Sequence, residues 1–142
     1  MSRRGHALAV GVAAALIPGM ATAWWAANRH EVFPVSKTVF EVIGRPGSGA
    51  ADYWCAAGDF ARTALRSRTA NRLYIWKAVG PSVTQPGRRA VQFAFSPPKG
   101  AENVDPGYSL SVRLVGDNLT IGAAFQYCLG NDPFDWQRRL GW

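Results

Sequence analysis

The spacing of apolar positions marks one clear amphipathic helix, over residues 48–65 (SGAADYWCAAGDFARTAL). At 100° per residue, Tyr53, Ala57, Phe60, Ala61 and Ala64 share one face, with Trp54 and Leu65 at its edge. Ser48 suits the N-cap, because its hydroxyl can accept from an unpaired first-turn amide. Asp52 lies near the positive end of the helix dipole, and Arg62 and Arg66 lie near the negative end. Asp59 and Arg62, three positions apart, are within reach of each other on a helix surface. Gly58 weakens the middle, by up to about 1 kcal/mol relative to alanine. The alanines let a neighbouring element approach closely. Tyr53, Trp54 and Phe60 supply the area to bury, so the helix is expected to be core rather than a ligand platform.

Period-two alternation and β-branched or aromatic residues mark the strands. Residues 38–43 read as a strand, with Pro34 at a sheet edge or outside it. Gly44, Arg45, Pro46 and Gly47 then break the chain before the helix. In residues 72–79, Leu73, Ile75 and Lys77 fall on one face and Tyr74, Trp76 and Ala78 on the other. In residues 88–96, Val91, Phe93 and Phe95 alternate against Ala90, Gln92 and Ala94. These two segments flank a loop with Pro81 and Pro86 and are expected to pair as an antiparallel hairpin. Pro97 and Pro98 end the hairpin, and a polar loop over 99–107 leads to a half-exposed strand over 108–115 and a turn at 116–118. Residues 119–129 fit either a returning strand or a short helix capped by Thr120. Ala123, Ala124 and the spacing of Ile121, Ala124, Phe125 and Cys128 favour the helix. The expected fold is α+β: a small antiparallel sheet of three to four strands on one main helix, with a possible second short C-terminal helix.

The first residues change the picture, because they read as a targeting segment. Arg3 and Arg4 precede an apolar run over 7–17, Pro18 and Gly19 break it, and Ala21, Thr22 and Ala23 have the form of a cleavage site. The run is short for a transmembrane helix. A signal peptide over 1–23 and a single exported domain over 24–142 are therefore expected, with an uncleaved anchor as the alternative. Ser2, Arg3 and Arg4 hint at a twin-arginine signal, but His6 and Ala7 replace its bulky apolar positions. Removing 23 of 142 residues leaves 119, enough for a modest core, and takes two arginines from the +7 net charge to leave +5. A flexible start over 24–31 is expected. In an exported chain the two cysteines, Cys55 and Cys128, read as one disulfide. Cys55 falls beside Asp52, Asp59 and Arg62 on the wheel, where two carboxylates disfavour a reactive thiolate.

The candidate chemistry is sparse. His30 is the one histidine outside the leader, so a serine or cysteine triad lacks a well-placed base. No zinc-ligand spacing and no phosphate-binding loop occur, and no cofactor is expected; the glycines at 44–49 read as a turn. The nine carboxylates read as solvated or capping groups, with no convergent pair for glycan hydrolysis. The sequon Asn118-Leu119-Thr120 reads as chance in a bacterial export product. Arginine dominates the positive charge, which draws a domain to polyanions. The tail over 130–142 interleaves Trp136 with Arg138 and Arg139. With Arg62 and Arg66 these form a possible anion or partner surface.

The segment Tyr53-Trp54-Cys55-Ala56-Ala57-Gly58-Asp59, with the late Cys128, resembles a pattern in small exported bacterial proteins without an assigned role. That resemblance implies secretion and the disulfide, and no activity. The expected function is an exported, periplasmic or secreted, non-catalytic binding or accessory protein. Its partner would be an envelope component or an anionic surface, with no nucleic acid and no stable membrane span. A small hydrolase of a cell-envelope polymer is the alternative.

Overall fold

The computed structural model describes residues 22–105, 107 and 109–130. It is an α+β fold with one six-stranded antiparallel sheet, two helical elements and one disulfide. The strands are β1 (Trp24–Trp25), β2 (Glu31–Pro34), β3 (Val39–Ile43), β4 (Arg72–Pro81), β5 (Arg89–Ala94) and β6 (Asn118–Thr120), in the spatial order β1-β2-β3-β5-β4-β6. Helix α1 (Ala50–Asp59) continues into a π-helical turn over Phe60–Ala64, and α2 (Ile121–Gln126) into a 3-10 turn over Tyr127–Leu129.

The sheet has more strands than the sequence pattern suggests, because short pairing segments flank the long ones. Pro34 ends β2 opposite Phe40, where its missing amide costs the ladder least. Residues 24–31, expected to be a flexible start, are paired and hydrogen-bonded instead. Trp24 pairs with Val32, the amide of Ala27 donates to Asp59 (2.8 Å), and the Asn28 side-chain amide donates to the Asp52 carbonyl (2.8 Å). The half-exposed strand expected over 108–115 is not a strand among the described residues. The chain runs irregularly alongside β4 there, bonded to it at Val112, Gly116 and Asp117, and of this stretch only Asn118–Thr120 forms a regular ladder with it. Thr120 then caps α2, accepting from the Ala123 amide (3.1 Å), as the helical spacing implies.

One core lies between the sheet and α1. Phe40 is central to it, 4.8 Å from Phe60 and 6.0 Å from Phe93 between ring centroids, and Trp54 meets Phe93 edge-on at 5.0 Å. Every residue from Tyr53 to Ala61 is buried, so the helix is enclosed nearly all round and its expected outer side is covered as well. The cover is α2, held to α1 by the Cys55–Cys128 disulfide with Cα atoms 4.7 Å apart. A Cβ at Gly58 would lie 2.6 Å from the Phe125 amide nitrogen and 2.9 Å from the Ala124 Cβ. Glycine here sets how closely the two helices approach. Ala64 and Leu65 are exposed, beyond the reach of the sheet.

Candidate functional site: an arginine-lined cleft at the start of the main helix

The turn that breaks β3 from α1 builds the site. Ser48 donates its amide to the Arg45 carbonyl (3.0 Å), with Pro46 and Gly47 between them and Gly47 at φ +82°. That is a type II turn, in which proline presets one dihedral and glycine takes the left-handed one. Ser48 is not the N-cap. Its hydroxyl oxygen accepts from the Arg45 amide (2.8 Å) and lies 2.7 Å from His30 Nε2. Gly49 takes the cap position, and the Asp52 carboxylate accepts its amide (2.8 Å). Burial holds the His30 pKa below its ordinary 6.5, against the opposing pull of the Asn28 carbonyl. A neutral His30 accepting from Ser48 and donating to Asn28 satisfies both contacts, and locks the turn to β2.

Between this turn and the segment 109–113 lies an open cleft of about 840 Å³. Its floor includes Tyr53 and Val79. Arg45 and Arg88 stand on one side and Arg113 on the other, with Arg89 nearby. The far wall is pinned from two elements: Trp54 donates its indole N–H to the Ser111 carbonyl (2.9 Å), and the Val79 amide donates to the Val112 carbonyl (2.9 Å). Gly49 and Ala50 bring the positive end of the α1 dipole to the rim. The described walls of the cleft carry no carboxylate.

Arg88 is held in place, donating to Glu31 (2.9 Å) and to the Gly44 carbonyl (3.2 Å). Among the described residues the guanidinium groups of Arg45, Arg89 and Arg113 have no carboxylate within salt-bridge reach. Tyr53 is only 4% exposed, and its hydroxyl, which makes no hydrogen bond to the protein among the described residues, opens to solvent in the cleft. Gly44 makes room for it, since a Cβ there would lie 2.1 Å from the phenol oxygen. Burial raises the Tyr53 pKa above its ordinary value of 10.0, so it stands in the cleft as a neutral donor. A second, smaller cleft of about 260 Å³ adjoins the first. It shares Arg45 and Arg88 and adds Trp25, Arg29 and Glu31.

The surface expected at Arg62 and Arg66 lies elsewhere. The Arg62 guanidinium sits 4.1 Å over the Phe125 ring, on the α2 side, and exposed Arg66 (φ +51°) follows the π-helical turn. Both are at the opposite end of α1 from the cleft. Arg62 does not meet Asp59, which is turned inward to Ala27 and Thr63. Trp136, Arg138 and Arg139, like residues 1–21 of the expected signal peptide over 1–23, fall outside the described residues. Cys55 and Cys128 are joined. The cleft arginines come from three separate loops and the start of β5, so no local pattern assembles them; the doublet Arg88-Arg89 after a proline-rich loop is the one trace in sequence.

Among the described residues the carboxylates do not assemble an acid–base pair. Glu41 is wholly buried and accepts from the hydroxyls of Ser82 and Thr84 and from the amides of Val83 (3.3 Å) and Thr84 (2.8 Å). This corrects the expectation of solvated or capping carboxylates, as do buried Asp59 and Asp117. Among the described residues no three His, Cys, Asp or Glu side chains are grouped to hold a metal, and no helix is long and apolar enough to cross a membrane. No protein-family model, curated protein or solved structure matches the chain.

Proposed function

We propose that this protein is an exported, non-catalytic binding domain of the bacterial cell envelope, and that the cleft between the 44–50 turn and the 109–113 segment takes an anionic ligand. The observation that carries the reading is the meeting of three guanidinium groups without carboxylate partners among the described residues and a neutral tyrosine hydroxyl open to the same concave site. Guanidinium groups offer paired donors that match carboxylate and phosphate oxygens. The leader-like start and the disulfide both support an oxidising compartment outside the cytoplasm. The lack of a carboxylate in the described walls favours binding over the hydrolase alternative.

Titration with tripolyphosphate, followed by backbone amide NMR shifts, tests the site. At low ionic strength the shifts are expected at residues 44–50 and 109–113, weakening with salt as the screening length falls to about 8 Å at physiological strength. The double variant Arg45→Ala with Arg113→Ala is expected to lose at least about tenfold in affinity. Shifts confined to the Arg62 and Arg66 end, or none at low salt, would overturn the reading.

A further inference from the structure

The two clefts are adjacent and share Arg45 and Arg88, so an extended ligand can occupy both. We propose that together they form one groove for a carboxylate-bearing glycan, with its acid groups on Arg45 and Arg113 and a sugar ring on Trp25. This rests on the anion-binding reading above and names the ligand class.

Three features select a glycan among polyanions. First, Trp25 is 62% exposed on a strand that is otherwise fixed, and it lines the smaller cleft. A rigid indole face presented to solvent suits the apolar face of a sugar ring, and a phosphate chain has nothing to place there. Second, the groove carries acceptors as well as donors. Glu31 lines the smaller cleft, where one oxygen accepts from Arg88 and offsets that arginine's charge toward a pure polyanion, while the other can accept from sugar hydroxyls. Third, Tyr53, Ser109 and Ser111 bring neutral hydroxyls to the larger cleft beside Arg113. A membrane surface fits less well. The site is concave, and Trp25 is flanked in its cleft by Arg29 and Glu31 rather than by further apolar side chains.

The test compares three probes on the full exported protein: a galacturonic acid oligomer, polyphosphate of similar charge, and vesicles of phosphatidylglycerol with phosphatidylcholine. Binding is read by tryptophan fluorescence and calorimetry, on the native protein and on Trp25→Ala, Glu31→Gln and Arg45→Ala with Arg113→Ala. The galacturonate oligomer is expected to bind the native protein, to lose about tenfold with Trp25→Ala, and to be abolished by the double arginine variant. Polyphosphate affinity is expected to be unchanged by Trp25→Ala and to rise with Glu31→Gln. Polyphosphate binding without galacturonate binding, or galacturonate binding indifferent to Trp25, overturns the glycan assignment and leaves the anion site standing. Preferential binding to vesicles, lost with Trp25→Ala, overturns it in favour of a membrane surface. No binding of any probe at low salt removes both readings. Unchanged near-ultraviolet circular dichroism away from the tryptophan band establishes that each variant is folded.

Discussion

Glu41 is the residue whose role least resembles its type. It stands at the centre of β3, where period-two alternation between Phe40 and Val42 places it on the sheet face away from α1. Burial pushes its pKa up, but the hydroxyls of Ser82 and Thr84 and the amides of Thr84 and Val83 outweigh this and hold it below the ordinary 4.5. The ionised form is therefore the one the fold requires. It fastens the 82–85 loop to the sheet, and that loop leads directly to Arg88 and Arg89. A carboxylate with a depressed folded pKa contributes stability above its unfolded pKa and loses it as pH falls through the folded value. His30, lowered by burial, acts in the same direction but at higher pH, from 6.5 downward. Asp117, raised by burial, opposes Glu41 in the acid range. Melting temperature followed against pH is expected to fall in two stages, one beginning near 6.5 and one below 4.5. Glu41→Gln should shrink the lower stage to the part that Glu102, lowered by the Gly100 amide, still supplies, and cost about 2–3 kcal/mol in chemical denaturation, because a side-chain amide cannot accept at both positions. A Glu41→Gln protein as stable as the native one would deny the carboxylate this role.

At the scale of the element, α1 divides its work among three consecutive residues. Turned by 100° each, Tyr53 reaches the cleft, Trp54 the sheet and the 111 carbonyl, and Cys55 the second helix. Gly58 faces α2 as well, and its replacement by alanine separates two opposing effects. Better helix propensity favours alanine by about 1 kcal/mol, while the added methyl meets backbone at 2.6 Å. Overpacking against backbone costs about 1–3 kcal/mol, so Gly58→Ala is expected to be net destabilising by denaturant titration; a stabilised variant would mean that α2 yields easily. Much of this element was legible in its own sequence. The aromatic spacing located the helix, and Thr120 with Ile121 and Ala124 located α2, because both signals are local. The disulfide reading brought the segment around Cys128 to the Cys55 flank of α1, but the burial of Asp59 under residues 24–30 was illegible, since its spacing reads as solvent-facing until the chain before β2 is brought in. The edge strands were also hidden. Two or three residues carry no periodicity, and Trp24 pairs with Val32 only because the chain reverses at 26–29. The cleft required the same long-range knowledge, for Arg45, Arg88 and Arg113 meet through tertiary placement alone.

The whole molecule is closed by a bond between residues 73 positions apart. In the chain-entropy account, a loop of that length contributes roughly 4 kcal/mol, a large share of the 5–15 kcal/mol typical of a domain. Cys55→Ser or Cys128→Ser is expected to lower the melting temperature by well over ten degrees and to expose residues beyond 118 to protease, measured by calorimetry and limited digestion. A reduced protein that melts with the oxidised one would show that α2 docks without the bond. On the export proposed above, the same bond sets an order of events during biogenesis. A chain threaded outward from its N-terminus delivers Cys55 first, and only a thiol from another molecule can react with it while the next 73 positions emerge. Once Cys128 arrives, two cysteines leave a single intramolecular partner choice, so no shuffling between alternative bridges is needed. The hazard is therefore cross-linking between nascent copies, and it ends when α2 seats on α1.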